Sequence, residues 1–113
     1  MTSRFVGLAA LVTVAFAGGP ATAEDAPIAI PLTITDHRFS PAEIHLPAGK
    51  PAILQVVNQD ATVEEVESTS LNIEKVIPGG ATSKVRLRAL EPGRYPFMGE
   101  YHSDTAQGFV VAE

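Results

Sequence analysis

Six side chains in two short stretches have the chemistry to hold a metal ion. Glu64, Glu65 and Glu67 lie in the run VEEVES, and Glu100, His102 and Asp104 lie in GEYHSD. Carboxylates with one imidazole form a hard, oxygen-rich set, which suits iron or copper(II) better than copper(I). Softer ligands are scarce: there is no cysteine, and Met98 is the only methionine after Met1. A site that needs a thiolate is therefore excluded. Each candidate also has a plainer reading. Glu65 and Glu67 alternate around Val66 and share a strand face, and such faces are usually solvated. Glu64 has the opposite parity and would point inward beside Val66. The alternative for His102 is a hydrogen-bonded loop histidine, and for Asp104 the start of a turn.

The elements that must position these groups read as β throughout. Ile28 to Thr35 (IAIPLTIT) is β-branched and alternating. Pro31 lacks a backbone donor, so this is an edge strand or a broken one. Asp36 to Pro41 is a turn, and Glu43 to Leu46 alternates. Pro47 to Lys50 turns the chain, and Pro51 to Asn58 is a buried-type strand. Val63 to Ser68 and Leu71 to Ile77 are short extended pieces. Ser83 to Leu90, Arg94 to Met98 and Phe109 to Ala112 complete the set, with Gly99 to Gly108 joining the last two. About eight short strands punctuated by turns predict an all-β sandwich. His45, between inward Ile44 and Leu46, should face water. His37 lies in the DHRF turn and reads as structural, or as a contributor at the rim of a site.

The N-terminus carries an export pattern. Arg4 precedes an uncharged run, Phe5 to Ala17, and Ala21-Thr22-Ala23 places small residues where a signal peptidase reads. Residues 1–23 are expected to be a signal peptide cleaved after Ala23, leaving one domain over 24–113 in the periplasm. The alternative is an uncleaved membrane anchor, although the run is shorter than the roughly 20 residues a spanning helix needs. Beyond residue 23 the chain carries seven basic and all 13 acidic residues. That balance argues against nucleic acid or an anionic membrane as partner.

The last third, PGRYPFMGEYHSDTAQGFVV, resembles the metal loop of the cupredoxins. Their blue-copper loop runs Pro-Gly-x-Tyr-x-Phe-x-Cys-x-x-His-x-x-x-Met-x-Gly. Tyr95, Phe97, His102 and Gly108 match it, while Gly99 stands at the cysteine position and Ala106 at the axial methionine. After Asn58, where the upstream histidine would follow, the nearest candidates are Glu64 and Glu65. The resemblance implies a cupredoxin-like Greek-key β-sandwich without type 1 copper. In a sandwich of this topology the VEEVES segment and the loop meet at one end.

Two blocks, ATVEEVESTSLNIEKVIPGG and PFMGEYHSDTAQG, resemble more narrowly the single-domain cupredoxin-like proteins of bacterial periplasmic iron uptake. Those read E-E-F-E-S, then E-K-V-I-P-P-G, then F-F-G-E-F-H-x-x-T-A-x-G. This chain departs at Val66, Gly79, Met98 and Tyr101. Because the family has Phe at the position of Met98, that residue reads as core. Glu74-Lys75 reads by default as an ion pair on the sheet. The resemblance implies a metal-binding component of high-affinity iron transport, holding iron or copper(II) through Glu65, Glu67, Glu100 and His102. Its role would be Fe(II) oxidation, electron acceptance or hand-over. The implied partners are a membrane iron permease and a second periplasmic iron-binding protein. Two other readings stay open: a periplasmic copper-binding protein, and a metal-free interaction module whose acidic residues are scattered.

Overall fold

Alternation decides which side of each strand is buried, and two sheets close over the buried sides. The computed structural model describes residues 2–3, 7, 9–14 and 26–113. The expected cleavage site at Ala23 lies outside the described residues, and the run from Phe5 to Ala17 falls only partly within them. Nine strands are described: β1 Ile28–Thr35, β2 Arg38–Ser40, β3 Glu43–Leu46, β4 Ala52–Asn58, β5 Glu64–Ser68, β6 Ile73–Ile77, β7 Thr82–Leu87, β8 Gly93–Gly99 and β9 Gln107–Ala112. A single 3-10 turn, Glu100–His102, follows β8.

One sheet has the order β2-β1-β4-β7 and the other β3-β9-β8-β5-β6. Strands β1 and β4 run parallel, as do β3 and β9; the other paired strands are antiparallel. Between the sheets lie Leu32, Ile34, Leu54, Val56, Val66, Ile77, Phe97 and Val110, all nearly or fully buried. Pro31 sits where β2, which pairs only with Thr33 to Thr35, does not reach. Its missing donor therefore faces a free edge. The stretch read as one turn from Asp36 to Pro41 holds a two-residue hairpin turn and the short strand β2.

Two local devices aim the segments that carry the candidates. The first is the hairpin turn Asp36-His37, in which both residues have positive φ, 52° and 57°. That geometry normally selects Gly or Asn. Asp60 compensates by accepting the backbone N–H groups of Asp36 and His37 at 2.8 and 3.0 Å. These bonds, the one to His37 first, hold the Asp60 carboxyl below its ordinary range. The second is Asn58, fully buried at the end of β4. Its Nδ2 donates to the carbonyls of Thr62, Ile77 and Pro78, and its Oδ1 accepts from Asp60 N–H. One side chain thus ties the β4–β5 loop to the end of β6. Replacing Asn58 with Leu orphans these backbone groups and should cost at least about 1–3 kcal/mol, read as a lower urea midpoint with an unchanged m-value.

Candidate metal centre

The period of two along β5 divides its glutamates between the two faces of the sheet. Glu64, Val66 and Ser68 point inward. Glu65 and Glu67 point to the outer face. Strand β5 pairs with β8 through Val66↔Gly99 and Glu67↔Met98, which brings the 3-10 turn against the start of β5.

Glu64 is the buried anchor of this junction, 1% exposed. Its Oε1 accepts the backbone N–H of Glu65 at 3.0 Å and of Tyr101 at 3.1 Å. Its Oε2 lies 2.5 Å from Nδ1 of His102. The His102 ring stacks on His37, with centroids 3.6 Å apart and planes 12° from parallel. Glu64 points inward as its parity predicts, but its carboxylate is taken up by His102 and two backbone donors. Both residues are thereby committed to each other.

The outer face holds the other group. One carboxylate oxygen each from Glu65, Glu67 and Glu100 lie within 4.8 Å of one another. Three carboxylates at that spacing can share one cation. Glu65 is 7% exposed, and its Oε1 is buried with no hydrogen-bond donor. A carboxylate oxygen buried in that state is costly unless something positive completes it. Glu67 is half-buried and Glu100 exposed, so the group opens to solvent on one side. His102 and Asp104 are not members; Asp104 is exposed beyond the turn. The expected set of Glu65, Glu67, Glu100 and His102 is thus brought together in three of its four parts.

Neighbours of this group include residues the sequence did not single out. Glu74 sits opposite Glu67 across the β5–β6 pairing, and the Glu65 carboxylate, then Glu67, raise its pKa. It makes no ion pair with Lys75 among the described residues, so the default reading of Glu74-Lys75 is corrected. The Glu65 carboxylate first, and then burial, raise the pKa of the Tyr101 phenol. Met98 is 43% exposed. It was expected in the core, but Phe97 takes the inward position and Met98 alternates outward beside Glu67. His45 is exposed as expected and pairs with Glu113 at 2.9 Å.

The family match extends over residues 7–112 with the cupredoxin-like domain. The chain belongs to the cupredoxin-like domain family. An uncharacterized protein of Rickettsia prowazekii (strain Madrid E) is 36% identical over 104 residues, 92% of this chain and 83% of that protein. Auracyanin A, a "blue" copper protein of Chloroflexus aurantiacus, matches with a TM-score of 0.63 at 15% identity, over 78% of this chain and 100% of that one. A chain of a heme-copper terminal oxidase dimer matches with a TM-score of 0.64 at 19% identity, over 76% of this chain. This cupredoxin-like chain spans 65% of that oxidase chain. At such identities the structural matches establish the sandwich and nothing finer.

The type 1 centre does not fit this member of the family. There is no cysteine, and space for one is lacking. A Cβ on Gly99 would lie 2.6 Å from the Ala106 Cβ and 2.7 Å from the Glu64 Cδ. The Glu64 carboxyl group fills the space that a side chain at position 99 would enter.

Two outcomes follow. Glu64→Ala removes one partner of a buried pair and should destabilise the domain by about 3–5 kcal/mol, while Glu64→Gln, which still accepts one backbone N–H, should cost less; chemical denaturation measures both. Glu100 is held up at about 7 against an ordinary 4.5, by Glu67 first and Glu65 second. A carboxyl raised on folding stabilises the fold in its protonated form. That contribution is complete below about 4.5 and is lost as pH rises through about 7. Metal-free protein should therefore show a falling Tm across that window, and Glu100→Gln should flatten the fall.

Proposed function

We propose that this cupredoxin-like protein is an exported, periplasmic metal-binding component of iron transport. It would hold its cargo on the outer face of the five-stranded sheet, through Glu65, Glu67 and Glu100. The observation that carries this reading is a group of three carboxylates, one of which, Glu65, has a buried Oε1 with no donor. A metal-free module would leave its acidic residues scattered, and these converge. All-oxygen, anionic coordination favours hard ions over copper(I), and the resemblance to iron-uptake proteins selects iron among them. Such ligands hold Fe(III) more tightly than Fe(II), so bound Fe(II) gives up its electron more readily to an external acceptor. The sequence blocks around VEEVES and GEYHSDTAQG support hand-over to a membrane iron permease, with a second periplasmic iron-binding protein as companion. The acidic surface is compatible with docking to a basic protein face.

A copper reading has one specific observation in its favour. Met98 exposes a thioether at the position paired with Glu67. Titration separates the two. Purified protein should bind one Fe(III) per chain, and more tightly than Zn(II). Glu65→Gln and Glu67→Ala should each weaken binding by about tenfold or more, whereas His102→Ala should retain most of it. Binding of copper alone, lost in Met98→Leu, would favour the copper reading. Unchanged binding in both glutamate variants would remove the proposed site.

A further inference from the structure

Apolar side chains left in water are not spread evenly over the sandwich. Among residues 26–113, the exposed large hydrophobics are Val63, Val76, Met98 and Tyr101. Val76 pairs with Glu65 and Met98 with Glu67, so both stand on the outer face of the five-stranded sheet. Val63 precedes Glu64, and Tyr101 follows Glu100. The four-stranded sheet exposes no side chain of this kind among the described residues. Scattered exposed hydrophobics are ordinary, but a group gathered on one side marks an interaction surface.

Residue parity extends that surface along β8 and β9. Tyr95 and Phe97 pack against the core, so Arg94, Pro96 and Met98 face outward. Pro96 pairs with Phe109, and the Arg94 guanidinium lies over the Phe109 ring, 3.9 Å from its centroid. Arg94 is exposed and makes no ion pair among the described residues. A groove of about 640 Å³ runs beside this row, with Pro96, Met98, Phe109 and Glu67 among its walls. Along β8 the outward order is thus one cation, two apolar residues, and then the carboxylate of Glu100.

We propose that two copies of this chain associate through this face as a two-fold dimer. A two-fold interface needs a patch that is complementary to itself, and this row has that property. An axis crossing β8 at Phe97 lays Pro96 of one copy against Met98 of the other. Arg94 and Glu100 lie three residues to either side of Phe97. The same axis therefore sets Arg94 of each copy opposite Glu100 of the other. The flexible Met98 side chain suits the groove beside Pro96. Stacking on Phe109 uses the face of the Arg94 guanidinium and leaves its edge for a carboxylate. Each copy thus brings a cation to a carboxylate group that has no basic partner of its own among the described residues. Metal binding is not required for this association, because the carboxylates act in it through their charge.

A charge swap tests the pairing. The purified protein, stripped of metal with a chelator, is followed by sedimentation velocity over a wide range of concentration. Wild type should show a reversible monomer–dimer equilibrium. Arg94→Glu and Glu100→Arg each set like charges against each other at both symmetric contacts, and each should weaken the dimer at least about tenfold. An equimolar mixture of the two variants should recover it, because both contacts then join opposite charges. Arg86→Glu makes the same change of net charge from β7, on the other sheet, and should leave the equilibrium within about twofold of wild type. All three positions are exposed, so the variants should keep the wild-type far-UV circular dichroism spectrum. A wild type that stays monomeric at every concentration overturns the proposal and leaves the face to a basic partner protein. A dimer that both swaps leave intact, that the mixture fails to restore, or that Arg86→Glu weakens equally, overturns it as well.

Discussion

The arrangement depends on one buried carboxylate. Glu64 lies inside the sandwich at the start of β5 and binds the His102 ring, the Tyr101 N–H and its neighbour's N–H. A charge at that depth is costly unless every lone pair is used, and here the loop after β8 supplies the donors. The 3-10 turn is thereby clamped to β5. That clamp sets where Glu100 and Tyr101 stand relative to Glu65 and Glu67. His37, held in a strained turn by Asp60, closes the far side of His102 by stacking.

The two faces of β5 consequently do different work. Inward, Glu64 and His102 form a structural pair in the space beside Gly99, where a blue-copper ligand would be. Outward, one residue further along, Glu65 begins a separate group. A shift of one residue moves a side chain through the sheet, so adjacent glutamates serve opposite purposes. Here the sandwich carries a group of three carboxylates open to solvent on one side.

Much of the fold was legible because alternation is a local signal. Ile28 to Thr35, Glu43 to Leu46 and the inward turn of Glu64 follow from residue parity alone. Met98 shows the limit of arguing from resemblance. A phenylalanine at that position suggested core, but the phase set by Phe97 already placed it outward. The partnership of Glu74 with Glu67 depends on the register across the β5–β6 turn, which no single strand encodes. His102 was expected as a ligand from its place in the loop. Its capture by Glu64 needed the 3-10 turn, which carries no periodic pattern, and the absence of a side chain at Gly99, which gives the carboxylate room.

The central claim is that a metal belongs on the outer face and not on the histidine. Anomalous diffraction from crystals soaked in Fe(III) citrate, collected on both sides of the iron edge, tests it most directly. The account predicts one iron peak bounded by Glu65, Glu67 and Glu100, with the Glu64–His102 pair intact. A peak on His102, or a fully loaded protein with no peak near Glu65, would contradict it.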